Sequence, residues 1–231
     1  ATGGHLGVGA SWKWYTGSCG GTLIGTGSPI TVNPVVPTTY FLRAEGTCNT
    51  TSCVQQTITI NPLPNGSITG TTSICFGTST TLTFNFNTGT GPFDVVYTDG
   101  TNTYTANGVN TGSTVTVSPS GTSTYSFTSI TDANTCNRTS GFTAGATVTV
   151  TPLPVILSAT PTPVLCFGGN TGTITVSVNS GTPPYSYSDD FGASFQPGNV
   201  FTGLDTGDYY VLVSDIQGCR DTFNLNPVTI T

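Results

Sequence analysis

The sequence has very few charged residues and almost none of the residues that favour helices. Its 231 residues include four Lys and Arg and ten Asp and Glu; Lys13 is the only lysine, Glu45 is the only glutamate, and methionine is absent. By contrast, 49 Thr and 21 Ser make up about three in ten residues. Straight-chain residues favour helices, whereas β-branched Thr, Val and Ile fit the pleated surface of a strand. The composition therefore excludes helical bundles and doubly wound α/β folds and predicts an all-β protein.

The same scarcities exclude several kinds of partner. With a net charge of −6 and four cationic residues, the chain cannot form a basic surface that follows a phosphate backbone, so we expect no nucleic acid partner. No apolar run approaches the roughly 18 residues of a membrane helix, so we expect no direct membrane span. The chain does not begin with Met or with a charged-then-apolar leader, which predicts a mature chain or part of a longer protein.

Seven cysteines are the most reactive side chains of the sequence. They have no C-x-x-C pair and no partner histidine, so a zinc site is not expected. In a β-rich chain that is poor in lysine, they predict disulfides and an oxidising, extracellular compartment. Their odd number leaves at least one for a partner outside these residues. The disulfide candidates are Cys19, Cys48, Cys53, Cys75, Cys136, Cys166 and Cys219.

Parts of the sequence repeat after about 85 to 90 residues. The segment 30–34 (ITVNP) returns as 115–119 (VTVSP), and 57–64 (TITINPLP) returns as 147–154 (TVTVTPLP). Each unit closes with an alternating strand followed by Pro-Leu-Pro. Because proline cannot donate to a sheet ladder and stiffens the chain, these segments predict domain junctions with short, semi-rigid linkers. The predicted domains are 1–61, 62–152 and 153–231.

Short alternating segments between Gly, Asn, Asp and Pro turns predict a Greek-key β-sandwich in each unit. The predicted strands are 80–85, 93–98, 114–118, 124–130 and 146–151 in the second unit, and 173–179, 185–188, 209–214 and 221–226 in the third. Trp14 is placed like the buried tryptophan of an immunoglobulin strand C, and Tyr40, Tyr125 and Tyr209 like tyrosine corners. The first unit has no counterpart of 75–82, so we expect an Ig-like sandwich that is truncated at its N-terminus.

The third unit closely resembles the SprB-type repeat of gliding-motility and surface adhesins of Bacteroidota. The matching segments are 164–176 (VLCFGGNTGTITV), 181–187 (GTPPYSY) and 203–219 (GLDTGDYYVLVSDIQGC); 188–192 (SDDFG) departs from the family's Trp-Ser-x-Gly turn. The first unit, through 12–22 and 38–48, resembles the Ig-like modules of the same proteins, and the second resembles PKD- or Ig-like modules more loosely. The resemblance implies type IX secretion, a location on the bacterial cell surface, and an adhesive or stalk role.

No residue pattern predicts catalysis, a cofactor or a metal site. His5 is the only histidine and lies in a Gly-rich stretch, where no strands are expected to position it for a triad. Asp189 and Asp190 are adjacent, so they would point to opposite faces of a strand rather than act as a carboxylate pair. Four further aspartates of the third unit could supply the hard oxygen ligands that Ca²⁺ prefers, but their spacing is not that of a calcium-binding loop. We therefore favour a plain acidic surface for this set. It comprises Asp205, Asp208, Asp215 and Asp221.

The sequence therefore predicts a mechanical rod of β-sandwiches from a long, extracellular surface fibre, with no enzymatic activity. The expected partners are neighbouring repeats of the same chain, surface polysaccharide, or further copies that associate into fibres. The alternative is a set of carbohydrate-binding accessory modules of a secreted enzyme, which would need exposed aromatic residues on one face. Phe191, Phe195 and Phe201 are the candidates for ligand-facing residues, and closure of the hydrophobic core is the more ordinary role for them.

Two disulfide schemes are compatible with the predicted strands. In the favoured scheme, Cys75 bonds to Cys219 across a domain junction, because the two cysteines lie at opposite poles of successive sandwiches. The usual immunoglobulin bridge within one domain is not expected, because its two positions hold other residues. These residues are Leu82 and Phe127 in the second unit, and Ile174 or Val176 with Val211 in the third. Cys166 is then left for a following unit, Cys136 for the first unit through Cys19 or a cysteine further upstream, and Cys48 can pair with Cys53. The other scheme is Cys75–Cys136, Cys166–Cys219 and Cys19–Cys53.

Overall fold

The computed structural model describes residues 6–143, 145–166 and 168–231. All regular structure in these ranges is β-strand, so the all-β expectation is confirmed. None of the described residues belongs to a helix that could cross a lipid bilayer. The chain divides into two compact units, one that ends at Pro62 and one from Leu63 to Thr231.

The first unit is a four-stranded antiparallel sheet with the strand order β2-β1-β3-β4. Its strands are β1 (Ser11–Thr16), β2 (Thr22–Thr26), β3 (Thr38–Glu45) and β4 (Val54–Ile58). Trp14 lies opposite Leu42 and donates from Nε1 to the carbonyl oxygen of Gly27 at 2.8 Å. The indole is only partly buried, however, whereas the neighbouring Tyr15 on the other face is 6% exposed. The comparison of Trp14 with a fully buried strand C tryptophan is therefore wrong, and Tyr15 is the buried aromatic residue of β1.

The face of this sheet that carries Tyr15 also carries a small charge cluster around Glu45. Lys13 Nζ lies 2.7 Å from Glu45 Oε2, Arg43 Nη2 lies 2.5 Å from Oε1, and the Tyr15 hydroxyl donates to the same carboxylate. These bonds, from Lys13 first and then from Tyr15 and Arg43, lower the pKa of Glu45 to about 2. Two of the four basic residues of the chain are thus committed to internal pairing.

The second unit contains two sandwiches, and the described residues of the first form nine strands. One sheet has the order β10-β7-β5; the other has the order β6-β13-β11-β8-β9, with β12 also paired to β11. Strand β6 runs parallel to β13, and the other pairs are antiparallel. The strands are β5 (Asn65–Thr69), β6 (Thr72–Cys75), β7 (Thr80–Thr88), β8 (Phe93–Thr98), β9 (Thr103–Val109), β10 (Thr114–Val117), β11 (Ser123–Thr131), β12 (Asn137–Arg138) and β13 (Ala146–Thr151).

In the following sandwich, the part of the chain that the structure describes forms eight strands in three small sheets. Their orders are β14-β15-β17, β16-β19-β20 and β18-β21. The predicted strand 209–214 is interrupted at Val211, whose N–H donates to Asn226 Oδ1 at 2.9 Å instead of joining a ladder. The strands are β14 (Val155–Thr162), β15 (Gly172–Asn179), β16 (Tyr185–Ser188), β17 (Val200–Leu204), β18 (Gly207–Tyr209), β19 (Leu212–Asp215), β20 (Arg220–Thr222) and β21 (Val228–Ile230).

Each of these two sandwiches has its own hydrophobic core. Alternation along the strands directs every second side chain inward, as in β8, where Phe93, Val95 and Tyr97 are buried. The places of the usual intradomain bridge are filled by apolar side chains that are 5% exposed or less. These are Leu82 and Phe127 in the earlier sandwich and Ile174, Val176 and Val211 in the later one.

Candidate functional site

The most distinctive site of the second unit is a disulfide between its two sandwiches. Cys75, the last residue of β6, is bonded to Cys219, which precedes β20, with their Cα atoms 5.5 Å apart. This is the pairing that the favoured scheme predicts, and it excludes the bonds Cys75–Cys136 and Cys166–Cys219. We call the surroundings of this bond the stapled junction and define it by Cys75, Thr151, Pro154, Gly181, Asp215 and Cys219.

On the side of the earlier sandwich, Cys75 is held by the parallel pairing of β6 with β13, which places it level with Thr151. The backbone N–H of Phe76 donates to the carbonyl oxygen of Thr151 at 2.9 Å, and the Thr151 hydroxyl donates to the carbonyl oxygen of Ile74 at 3.0 Å. The same hydroxyl lies 3.2 Å from Cys219 Sγ. The end of the closing strand, the disulfide and the start of the linker therefore form one contiguous structure.

On the side of the later sandwich, Cys219 is presented by a loop that is organised around the buried carboxylate of Asp215. Oδ1 accepts the backbone N–H groups of Gln217 and Cys219, both at 2.9 Å, and Oδ2 accepts that of Thr182 at 2.9 Å. The backbone N–H of Asp215 donates in turn to the carbonyl oxygen of Cys219 at 2.9 Å. A carboxylate that accepts several backbone N–H groups fixes the loop, so the cysteine is held in position for its partner.

The earlier sandwich contains the same loop between Asp132 and Cys136. Asp132 Oδ1 accepts the N–H groups of Asn134 and Cys136, and Oδ2 accepts that of Thr90. Burial alone would raise the pKa of Asp132, but the N–H groups of Thr90, Cys136 and Asn134 outweigh it and lower the pKa. The spacing Asp-x-x-x-Cys, which both sandwiches contain, is the sequence signal by which this loop can be found.

The proline that ends each Pro-Leu-Pro linker is buried against a glycine of the sandwich that follows it. Pro64 and Pro154 are both less than 2% exposed. A Cβ atom on Gly89 would lie 2.9 Å from Pro64, and one on Gly181 would lie 2.8 Å from the backbone of Pro154. Both glycines also have positive φ, 96° and 78°. The linker proline is therefore part of the following sandwich, and only glycine fits at its contact.

The cysteines of the first unit pair differently from the favoured scheme. Cys19 is bonded to Cys53, so the expected Cys48–Cys53 pair is wrong, and Cys19 is not a partner for Cys136. Within the described residues Cys48, Cys136 and Cys166 are free thiols. The short segment between β3 and β4 alone favours Cys48–Cys53, whereas the sheet brings the turn after β1 next to the start of β4.

The three candidate ligand-facing phenylalanines have different environments. Phe191 is 66% exposed and makes an edge contact with Tyr210, with ring centroids 5.9 Å apart. Phe195 is 38% exposed beneath the guanidinium of Arg220, and it lines a cleft of about 210 Å³ together with Phe201. Phe201 is only 6% exposed and packs in the core, so its assignment to a ligand-facing surface needs correction. Its position on β17 directs the ring inward.

The acidic residues of the last sandwich serve as local hydrogen-bond acceptors. Asp190 accepts from the hydroxyls of Ser188 and Ser194 at 2.7 and 2.6 Å, and bonds from Ser194 and then Ser188 hold its pKa well below the usual range. Burial raises the pKa of the neighbouring Asp189. Among the described residues no three His, Cys, Asp or Glu side chains converge on a point where a metal ion could bind. His5 lies outside the described residues.

Two of the remaining aspartates bond to neighbouring strands. Asp208 accepts from the Thr229 hydroxyl at 2.7 Å, and Asp221 accepts from the backbone N–H of Ile156 at 2.8 Å. Asp205 is exposed on the surface, and its carbonyl oxygen accepts from the Tyr209 hydroxyl at 3.2 Å. This last bond is the tyrosine corner that the sequence predicts at Tyr209.

Two protein-family models match parts of this chain. Residues 5–62 match the Ig-like domain described as CHU_C associated, and residues 158–188 match the SprB repeat. The resemblances stated for the first and third predicted domains, 1–61 and 153–231, are therefore confirmed. Domains of both kinds are typically structural, non-catalytic modules, and they indicate a structural repeat segment of a surface protein.

Two solved multidomain structures are similar to this chain at low sequence identity. The N-terminal eight Ig domains of Down Syndrome Cell Adhesion Molecule isoform 1.30.30 match 96% of the chain at 13% identity and a TM-score of 0.43, and the chain covers 33% of that structure. The three N-terminal domains of the bacteriophage RB49 Highly Immunogenic Outer Capsid protein match all of it at 11% identity and a TM-score of 0.48, with 91% of that structure covered. No curated protein matches the chain.

The contact between Gly181 and Pro154 predicts a specific weakness of the stapled junction. We expect Gly181→Ala to destabilise the later sandwich by about 2–4 kcal/mol, because it adds a Cβ clash with backbone to the cost of positive φ. Gly100→Ala is the matched control, since Gly100 has φ 95° but nothing within 4 Å of an added Cβ. Chemical denaturation of the two variants checks this, and equal losses would contradict it.

The lowered pKa of Asp132 predicts an acid-sensitive contribution to stability. Because its pKa in the folded protein lies below the ordinary 3.8, the contribution is full above that pH and is lost as the pH falls below it. We expect Asp132→Asn to lower the thermal midpoint at pH 6 and the difference from the unsubstituted protein to shrink toward pH 2. Asp205→Asn is the exposed control. Parallel pH profiles for the unsubstituted protein and Asp132→Asn would contradict this role.

Proposed function

We propose that this chain is a force-transmitting segment of a large secreted cell-surface fibre or gliding adhesin, in which disulfides between domains stiffen a stalk of β-sandwiches. The observation that carries the proposal is the Cys75–Cys219 bond. A disulfide within one sandwich would stabilise that sandwich alone, whereas this one cross-links the two sandwiches of the second unit. The family matches support a surface location, and type IX secretion and adhesion follow from the resemblance to gliding adhesins.

The position of the bond has a mechanical consequence. The two cysteines are 144 residues apart in the sequence, and strands β7 to β19 lie between them. A force applied to the ends of the second unit passes through the disulfide and bypasses this closed loop. Only the segments 63–75 and 219–231 can then be extended. Most of both hydrophobic cores is therefore protected from the load, which is the property that a stalk under tension needs.

The free cysteines extend this arrangement to neighbouring units. Cys166 opens a turn like that of Cys75: Thr78 N donates to the carbonyl oxygen of Cys75 at 3.0 Å, and Gly169 N donates to that of Cys166 at 2.9 Å. Cys136 lies in the same kind of loop as Cys219. We therefore infer that Cys166 bonds to the Asp-x-x-x-Cys loop of a following sandwich, and that Cys136 receives a cysteine from a unit on its other side.

The alternative, accessory carbohydrate-binding modules of a secreted enzyme, has less support. It needs a face of exposed aromatic rings, and of the three candidates Phe201 is buried, while Phe191 and Phe195 are 66% and 38% exposed. The interdomain disulfide and the repeated Asp-x-x-x-Cys loops are explained by a stalk under tension, whereas carbohydrate binding by accessory modules does not require them.

Single-molecule stretching of the whole chain tests the mechanical role. When Cys75→Ser/Cys219→Ser opens the bond, the 144 residues of the closed loop should add about 500 Å of extension to complete unfolding, at about 3.3–3.6 Å for each residue. Cys136→Ser/Cys166→Ser is the matched control, because it removes two cysteines but keeps the Cys75–Cys219 bond. Equal extension of the unsubstituted and the double-serine chains under oxidising conditions would refute the proposal.

A tandem duplication tests the continuation of the staple. Residues 152–231 are appended after Thr231, which recreates the Thr-Pro-Leu-Pro junction that follows Thr151. We expect Cys166 of the first copy to bond to Cys219 of the second, as mass spectrometry of non-reduced peptides would show. In the Cys166→Ser control, the second Cys219 should stay open to alkylation. If it is equally open in the unsubstituted duplication, Cys166 is not a staple cysteine.

A further inference from the structure

The earlier sandwich of the second unit has a cleft of about 430 Å³ between the β8–β9 turn and the loop that joins β10 to β11. This volume lies within the roughly 300–1,000 Å³ of small-molecule sites. We call it the tyrosine cleft, and the residues that matter for its chemistry are Tyr97, Tyr104, Tyr125, Asp99, Asn102 and Ser120. The sequence does not indicate these residues as binding residues, and the tyrosine corner that it predicts at Tyr125 is wrong, because this hydroxyl makes no bond among the described residues.

Two deeply buried tyrosines line the cleft with unpaired hydroxyls. Tyr97 is 4% exposed and Tyr125 is 2% exposed, yet among the described residues neither phenol oxygen has a hydrogen-bond partner. Tyr209, at the corresponding place of the later sandwich, instead donates to the carbonyl oxygen of Asp205 at 3.2 Å. Neither phenol oxygen belongs to the buried side-chain atoms that lack a partner in the described residues, so both oxygens open into the cleft and can bond to a molecule that enters it.

The rim of the cleft is organised by Asp99. Its Oδ1 accepts the backbone N–H groups of Thr101 and Asn102 at 2.8 and 2.6 Å, and its Oδ2 accepts the Asn102 side-chain amide at 3.1 Å and the Tyr104 hydroxyl at 2.7 Å. Both oxygens are therefore occupied. These bonds, from Asn102 first, hold the pKa of Asp99 well below its usual range. Tyr104 is fixed in place, stacks on Tyr97 with ring centroids 5.2 Å apart, and is 37% exposed.

The ligand follows from the groups that line the cleft. None of the four basic residues lines it, so nothing there neutralises an anion. The saturated carboxylate of Asp99 has no free oxygen for a cation, and the rings of Tyr97 and Tyr125 lie in the core, so no aromatic cage forms around an ammonium group. What remains is phenol, serine and amide groups beside the exposed ring of Tyr104. We propose that the tyrosine cleft binds a neutral pyranose unit of a polysaccharide.

In this arrangement the hydroxyls of Tyr97 and Tyr125 bond to sugar hydroxyls, and the exposed part of the Tyr104 ring packs against the sugar's C–H groups. Asp99 is a positioning residue, because it holds Tyr104 and Asn102 without a free site of its own. The inference rests on the proposed function only in that a surface segment presents binding sites. It does not depend on the disulfide, so the loss of the staple and the loss of sugar binding are separate results.

Saturation-transfer NMR with the whole chain tests the proposal. The probes are D-glucose, D-galactose, D-mannose and N-acetyl-D-glucosamine, with D-glucuronate and tetramethylammonium as charged comparisons. We expect saturable binding of at least one neutral sugar and shifts of the ring resonances of Tyr97, Tyr104 and Tyr125. In Tyr97→Phe/Tyr125→Phe, affinity should fall at least about tenfold, because two hydrogen bonds to the ligand are lost.

The double variant is suited to this test because neither hydroxyl makes a bond within the protein, so its melting temperature should stay unchanged or rise. Tyr209→Phe is the matched control: it loses an internal hydrogen bond of the later sandwich and should bind sugar like the unsubstituted chain. The proposal is overturned if no neutral sugar binds saturably, if only glucuronate or tetramethylammonium binds, or if the double variant binds as tightly as the unsubstituted chain.

Discussion

The disulfide between Cys75 and Cys219 is the constraint on which the second unit depends, because it joins two sandwiches that each have a complete core. Such cores fold by burying apolar side chains and need no covalent bond within them, as the tightly packed Leu82, Ile174 and Val211 show. A bond placed between the cores adds little to their packing. It fixes the relation of one sandwich to the next, and it decides which part of the chain carries an applied force.

The strand pairing and hydrogen bonds of the junction hold Cys75 and Cys219 in position to bond to each other. Parallel pairing of β6 with β13 brings Cys75 to the end of the closing strand, where Thr151 leads into the linker. The carboxylate of Asp215 organises the opposing loop from within, by accepting three backbone N–H groups. This chain has few charged side chains, and the buried aspartate needs no basic partner because backbone N–H groups satisfy its carboxylate. Its repetition at Asp132 shows that the loop is a property of the repeat rather than of one position.

The two sandwiches differ at Tyr125 of β11 and at Tyr209 of β18, which the sequence places at corresponding positions. Tyr209 closes its corner on Asp205, whereas Tyr125 leaves its hydroxyl in the tyrosine cleft beside Tyr97. The same framework therefore supports a closed corner in one repeat and an open, polar cleft in the next. The two hydrophobic cores and the Cys75–Cys219 bond lie apart from the loops in which the two sandwiches differ, so these loops can vary without a change in either.

Much of this protein was determined by local sequence pattern. Alternating Thr and Val with few helix formers specify strands, and 93–98, 146–151 and 185–188 are strands with those bounds, because period-two burial and flanking turns depend on near neighbours only. The Cys75–Cys219 bond also followed from the sequence, since the poles of a repeated sandwich are set by the direction of its strands. The strands that the sequence did not reveal, such as β9 and β14, are edges whose side chains are largely exposed, so they carry little hydrophobic signal.

Only the tertiary structure decided what depends on residues far apart in the chain. It paired Cys19 with Cys53 rather than leaving Cys53 to its neighbour Cys48, because the sheet brings those two segments together. It placed Phe201 in the core, and it showed that Trp14 is less buried than Tyr15. It also gathered Tyr97, Tyr104 and Tyr125 around one cleft. Local periodicity tells which face a side chain takes, but the neighbours on that face come from other strands, and their identity is a property of the assembled sheets.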